Sequence, residues 1–137
     1  MLNFELRYIF FKRFSTNQQS TMIKGNTVEI LEEKINGVEV LNLNGRLDAF
    51  SAKDFREKVG SLAKEKQVNL VIDMDAIDFI DSSGLGSLVA SLRSVNKLGG
   101  DIKIASLQDS VRSVFEITRL HRIFEIFDDS FIAAKSF

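Results

Sequence analysis

Residues 68–100 read VNLVIDMDAIDFIDSSGLGSLVASLRSVNKLGG. The opening VNLVID is a short apolar run dominated by Val, Leu and Ile, and it predicts a buried strand that stops at the acidic MDAID. From Ser83 onward, Leu85, Leu88, Val89, Leu92 and Val95 recur at the spacing of one helical face. Gly99-Gly100 then ends that helix, because glycine accepts the left-handed conformation just past a helix end. Between the two, Ile77, Phe79 and Ile80 carry the chain to Asp81-Ser82-Ser83-Gly84-Leu85-Gly86. Two hydroxyls and two glycines therefore stand where a strand and loop feed a helix N-terminus. Such a terminus leaves backbone N–H groups unpaired and carries partial positive charge. Asp and Ser cap those groups, and the same place tolerates a phosphate. On spacing alone, the segment is a helix cap with glycines for tight packing, or a helix start able to receive a phosphate.

Upstream, Thr27 to Glu33 and Val38 to Leu43 are rich in branched residues and flank Asn36-Gly37, a strong hairpin signal. In the second run Val38, Val40 and Asn42 alternate with Glu39, Leu41 and Leu43, so both faces carry apolar residues and the strand is expected to be central and covered on both sides. Gly45-Arg46-Leu47-Asp48 is expected to turn the chain. Ser51-Ala52-Lys53-Asp54 has the form of a capping box with Ser51 as N-cap, and Ala52, Phe55, Val59 and Leu62 form the buried stripe of the helix that follows.

Downstream, Asp101 to Ala105 predicts a short strand. Asp109 is expected to cap a helix carrying Val111, Val114, Phe115 and Thr118, Arg119 to Arg122 form a connection, and Ile123 to Phe127 predicts a last edge strand. Asp128, Asp129 or Ser130 caps a C-terminal helix with Phe131, Ile132 and Ala134. An opening hairpin followed by alternating strands and helices predicts an α/β fold with a mixed sheet, its central crossover parallel and right-handed.

At 137 residues this is one domain with a sizeable core, and 45% hydrophobic with 27% charged residues suit a soluble globular chain. A formal net charge of −1 argues against a nucleic-acid surface, and the lack of cysteine excludes disulfides and thiolate metal sites. No apolar run approaches the roughly 20 residues needed to cross a bilayer. The expectation is a cytoplasmic protein with no membrane span, no cofactor and no metal. Residues 1–26 are expected to be an N-terminal extension, flexible or upstream of the true start, with the domain spanning 27–137.

Enzyme motifs fail on inspection. Gly84-Leu85-Gly86 starts a G-x-G, but Val89 holds the third glycine position of the dinucleotide fingerprint. No P-loop lysine follows, and no G-x-S-x-G makes Ser82 a nucleophile. Asp73, Asp75, Asp78 and Asp81 lie within nine positions but match no calcium loop, and solvated turns and caps account for them. His121, the one histidine, sits beside Arg119 and Arg122 in a connection and is expected at the surface. Phe115, Phe124, Phe127, Phe131 and Phe137 are read as core and docking aromatics.

IDFIDSSGLGSLVASLRSVNKLGGDIKI resembles the signature segment of the STAS domain, in its anti-sigma factor antagonist branch. VEVLNLNGRLDAFSAKDF resembles the same family's strand, Gly-x-Leu-Asp turn and first helix. The similarity runs from about Val28 to the C-terminus, and the two pieces together are more specific than either alone. The resemblance implies an α/β STAS fold, a mixed four- to five-stranded sheet with about four helices. It implies a phospho-switch in which Ser82, the first serine after Asp81, is phosphorylated by an anti-sigma factor serine kinase of the histidine-kinase-like ATPase fold and restored by a serine phosphatase. Asp48, Asp81, Ser83, Gly84, Leu85 and Gly86 would form the partner-binding surface. On this reading Ser82 needs no intrinsic reactivity and the chain is not an enzyme. Gly84 and Gly86 would clear space for a partner, and Ser87, Ala90, Ser91 and Ser94 would keep one helix flank small. The alternative is a STAS adaptor subunit of a larger signalling or lipid-transport assembly, with a structural serine.

Overall fold

The structure, a computed structural model, describes residues 28–137, and the expectations for residues 1–26 lie outside them. Strand β1 (Val28–Ile35) and strand β2 (Val38–Leu47) form an antiparallel hairpin. Asn36 and Gly37 both take positive φ, 53° and 78°, the pattern of a type I′ turn, which matches the twist of the flanking strands. Helix α1 (Ala52–Lys64), strand β3 (Asn69–Ile80), helix α2 (Ser82–Asn96) and strand β4 (Asp101–Ala105) follow. Helix α3 (Asp109–Ile117), a 3₁₀ turn at Leu120–Arg122, strand β5 (Ile126–Phe127) and helix α4 (Ser130–Lys135) complete the chain.

The sheet order is β1-β2-β3-β4-β5, with β1 antiparallel to β2 and every other pair parallel. Among the described residues, the mixed five-stranded sheet with four α-helices is the architecture the sequence predicts. β2 is central, and residues 39–43 are buried on both faces. On one face Phe55, Val59 and Leu62 of α1, Leu88, Leu92 and Val95 of α2, and Val111 and Phe115 of α3 close over Leu41, Leu43, Ile72, Met74 and Ile104. The other face carries a smaller cluster in which Ala133 and Ala134 of α4 meet Val40, Val71 and Ala105. This split explains the β3 sequence: both sides are covered, so the strand reads as a continuous apolar run.

Several local expectations are corrected. β3 does not stop at the acidic stretch but runs on to Ile80, and β2 does not turn at Gly45 but runs on to Leu47. The two strands continue to pair from Asn44↔Ala76 to Leu47↔Ile80, with register irregularities between Asn42 and Asn44 and between Gly45 and Arg46. Such irregularities let a strand absorb extra residues without ending. β5 keeps only Ile126 and Phe127 of the expected five residues, because Phe124 turns inward and packs edge-on against Phe115. In α4 the buried side is Ser130, Ala133 and Ala134, while Phe131 and Ile132 are exposed. Asp129 is the cap there, accepting from the Ile132 amide at 2.8 Å. In α3 Asp109 lies in the first turn and Gln108 is the N-cap residue.

Candidate functional site

The parallel pairing of β2 with β3 brings the end of one strand beside the start of α2. Asp81 is the N-cap: its backbone is extended, and Oδ1 accepts from the Gly84 amide at 2.9 Å. Ser82 and Ser83 therefore occupy the first two helical positions, and both are exposed. The Ser82 hydroxyl makes no hydrogen bond among the described residues. It stands outside the domain at the positive end of a 15-residue helix, with the Asp81 carboxylate on the neighbouring residue. Leu85 is half-buried against the core, and Gly86 is exposed with open space beyond it.

Gly84 takes the tight-packing role that the spacing offered. A Cβ there would overlap the carbonyl oxygen of Leu47 and lie 2.8 Å from its carbonyl carbon and 3.0 Å from Ile80 Cγ1. The glycine lets the helix start rest directly on the end of β2, where the Asp81 amide also donates to Leu47 O at 3.3 Å. Its small size serves internal packing, whereas Gly86 faces outward. The small flank of α2 is likewise divided: Ser87 and Ser91 are buried, and Ser94 is exposed.

The second loop of the site is the turn from Leu47 to α1. Asp48 is 6% exposed, and its Oδ1 accepts from the amides of Phe50 at 2.9 Å and Ser51 at 3.2 Å. Asp48 thus caps the tight turn that leads into the helix. Ser51 does not form the expected capping box. Its hydroxyl is buried and accepts from the Asp48 amide at 2.9 Å while donating to Arg46 O at 2.8 Å, which leaves it unavailable to the helix. The turn is tied to α2 by Asp81, whose Oδ2 accepts from the Ala49 amide at 3.3 Å. Asp48, Asp81, Ser82 and Ser83 are therefore gathered at one end of the sheet. Asp48 holds the loop from inside, and Asp81 joins the two loops.

Two exposed aromatics at this end carry no sequence motif. Phe50 is 77% exposed at the tip of the turn. Phe79 is 39% exposed, with the Arg46 guanidinium 4.2 Å from its ring centroid. Arg46 also lies 3.9 Å from Asp48 Oδ2. The only signal available in the sequence was an aromatic two residues after the Asp48 of the Gly-x-Leu-Asp turn, and a turn gives no indication of which side chain faces out.

The acidic run, expected as solvated turns and helix caps, departs from that at Asp73. Asp73 is 1% exposed and accepts hydrogen bonds from the hydroxyls of Ser130 and Ser106 and from the Asp75 amide. It fastens α4 and the β4–α3 loop to the sheet. Asp78 is exposed, as expected. Among the described residues no group of three His, Cys, Asp or Glu side chains gathers to hold a metal ion, and no helix is long and apolar enough to cross a membrane. His121 lies at the surface. It helps line a cavity of about 500 Å³ between α3 and β5 with Arg112, Arg122 and Glu125, away from Ser82. The Glu39 carboxyl has a raised pKa, mainly because burial disfavours its charge and then because Glu32 lies near, with Lys34 and Lys58 opposing.

Comparison with known proteins gives a consistent outcome. A family profile described as STAS domain matches residues 29–130. The anti-sigma-B factor antagonist of Bacillus subtilis is 34% identical over 96 residues, covering 70% of this chain and 86% of that protein. A Thermotoga maritima protein, crystallised as a candidate anti-sigma factor antagonist, superposes with a TM-score of 0.73 at 25% identity, over 78% of this chain and 92% of the other. The Bacillus cell-fate determinant SpoIIAA in its phosphorylated form shares the fold, with a TM-score of 0.57 at 20% identity over 74% of this chain and 90% of that one.

Proposed function

Because this chain belongs to the STAS domain family, we propose that it is an anti-sigma factor antagonist whose partner binding is switched by phosphorylation of Ser82. The observation that carries this reading is the placement of Ser82. Its hydroxyl is exposed at the first position of α2, with no internal bond among the described residues to break on modification. A kinase needs only an accessible hydroxyl from its substrate, and no side chain beside Ser82 has to act as a base. The names of the curated relatives support the role, and the fold is one that SpoIIAA keeps in its phosphorylated form.

On this reading the unmodified protein binds an anti-sigma factor that is itself a serine kinase, and binding releases the sigma factor. Phosphorylation adds about −1.5 to −2 charges at neutral pH. The start of α2 offsets part of that charge within the domain, so the fold survives. The partner, which fitted a neutral hydroxyl, meets a dianion beside Asp81, and like-charge juxtaposition at an interface costs several kcal/mol. A serine phosphatase then resets the cycle. The test is to incubate the purified protein with the anti-sigma factor kinase of its own organism and ATP, and to map the modified residue by mass spectrometry. One phosphate on Ser82, retained in Ser83→Ala and absent in Ser82→Ala, is expected. Modification at Ser83 alone would overturn the assignment.

A further inference from the structure

We infer that Phe50 is the apolar anchor of the partner interface and that the anti-sigma factor meets it with an apolar pocket beside the Ser82 contact. The inference rests on the reading above and adds to it a residue outside the α2 start. Phe50 is the most exposed aromatic among the described residues, at 77%. An exposed phenylalanine on a mobile loop would mean little, but this turn is held at every amide. Asp48 N is bonded to the Ser51 hydroxyl, Ala49 N to Asp81, and Phe50 N and Ser51 N to Asp48 Oδ1. Ala52 N donates to Asp48 O at 2.9 Å. The ring is thus carried on a fixed backbone, and anchoring it would cost little ordering entropy.

Its position is what ties it to the switch. Asp81, the residue before Ser82, is bonded to the amide just before Phe50, so the aromatic and the modifiable hydroxyl belong to one continuous surface. Phe79 lies at the same end of the sheet, with the exposed Arg46 guanidinium stacked on its ring. Binding energy at an interface concentrates in a few aromatic and Arg residues, and Phe50 is the exposed aromatic of the turn bonded to Asp81. The complementary partner surface is an apolar pocket that receives this ring. A phosphate on Ser82 would then disturb a contact whose apolar half is already seated.

The test is calorimetry with the purified anti-sigma factor of the same organism, on the full chain and four variants, one of them Ser82→Asp. Phe50→Ala should lose about 10- to 100-fold in affinity with an unchanged melting temperature. Phe50→Leu, which keeps an apolar side chain, should retain most of the affinity. Phe131→Ala, which removes an exposed ring from α4 on the opposite face of the sheet, should bind like the parent. Parental affinity for Phe50→Ala, with Ser82→Asp still failing to bind, would overturn the anchor and leave the switch standing. Equal losses for Phe50→Ala and Phe131→Ala would also overturn it. A parent that does not bind the factor at all would remove the functional reading and this inference with it.

Discussion

Asp81 Oδ2 accepts a hydrogen bond from the Ala49 amide at 3.3 Å, across 32 residues of sequence, while its Oδ1 caps α2 through the Gly84 amide at 2.9 Å. One carboxylate therefore sets the position of Ser82 and of the turn that presents Phe50. Asp81→Ala should cost about 1–2 kcal/mol, as loss of a helix cap does, and Asp81→Asn should recover much of it. Urea unfolding of the three proteins checks this. Equal stability of Asp81→Ala and the parent would show that neither bond contributes.

Gly84 and Gly86 lie two residues apart in the same helix and should respond oppositely to alanine. At Gly84 the added methyl overlaps the backbone of Leu47, so the helix must move off the end of β2. A loss of about 2–4 kcal/mol is expected from overpacking against backbone. At Gly86 nothing lies within 4 Å of the added carbon, and alanine should stabilise the helix by roughly 0.5–1 kcal/mol. Thermal unfolding of both variants measures the contrast, which would vanish if the two glycines were equivalent.

Glu39 provides a pH signature remote from Ser82. Its folded-state pKa is raised, first by burial and then by Glu32, so the native state holds this proton more tightly than the unfolded chain does. The charged form therefore costs stability above the raised pKa, and the cost disappears as pH falls through that value to the unfolded one. Glu39→Gln should be more stable than the parent at pH 7, and the difference should close in the acid range. A constant difference at every pH, or a less stable variant at neutral pH, would show that the Lys34 contact at 3.7 Å outweighs burial.

The core helices were legible because their chemistry is periodic. Ala52, Phe55, Val59 and Leu62 bury as expected, and so do Leu88, Leu92 and Val95, while Arg93 and Ser94 face out. The Asn36-Gly37 turn was legible because few dipeptides accept two positive φ values. The end of the sheet was not. Aspartate disfavours strands by propensity, so a strand ending before Asp75 and Asp78 was expected, yet β3 runs through both to Ile80 because it stays paired with β2. Ser51 has the sequence of a cap, but tertiary contacts with Arg46 and Asp48 take up its hydroxyl. Gly84 was noticed as small, while the reason for its size, the Leu47 carbonyl, lies 37 positions earlier in the chain. At the site, the loop and the serine were visible in the sequence; the exposure of Phe50 depends on how the Asp48 turn is held.

The central claim is that the charge state of Ser82 sets partner affinity without unfolding the domain. It is tested most directly by titrating the anti-sigma factor into the unmodified protein, the Ser82-phosphorylated protein and the Ser82→Ala variant in one calorimetric series. Tight binding by the unmodified and Ser82→Ala proteins is expected, with a loss of about a hundredfold or more on phosphorylation and circular dichroism spectra that coincide. A phosphorylated protein that binds as tightly as the unmodified one would contradict the account.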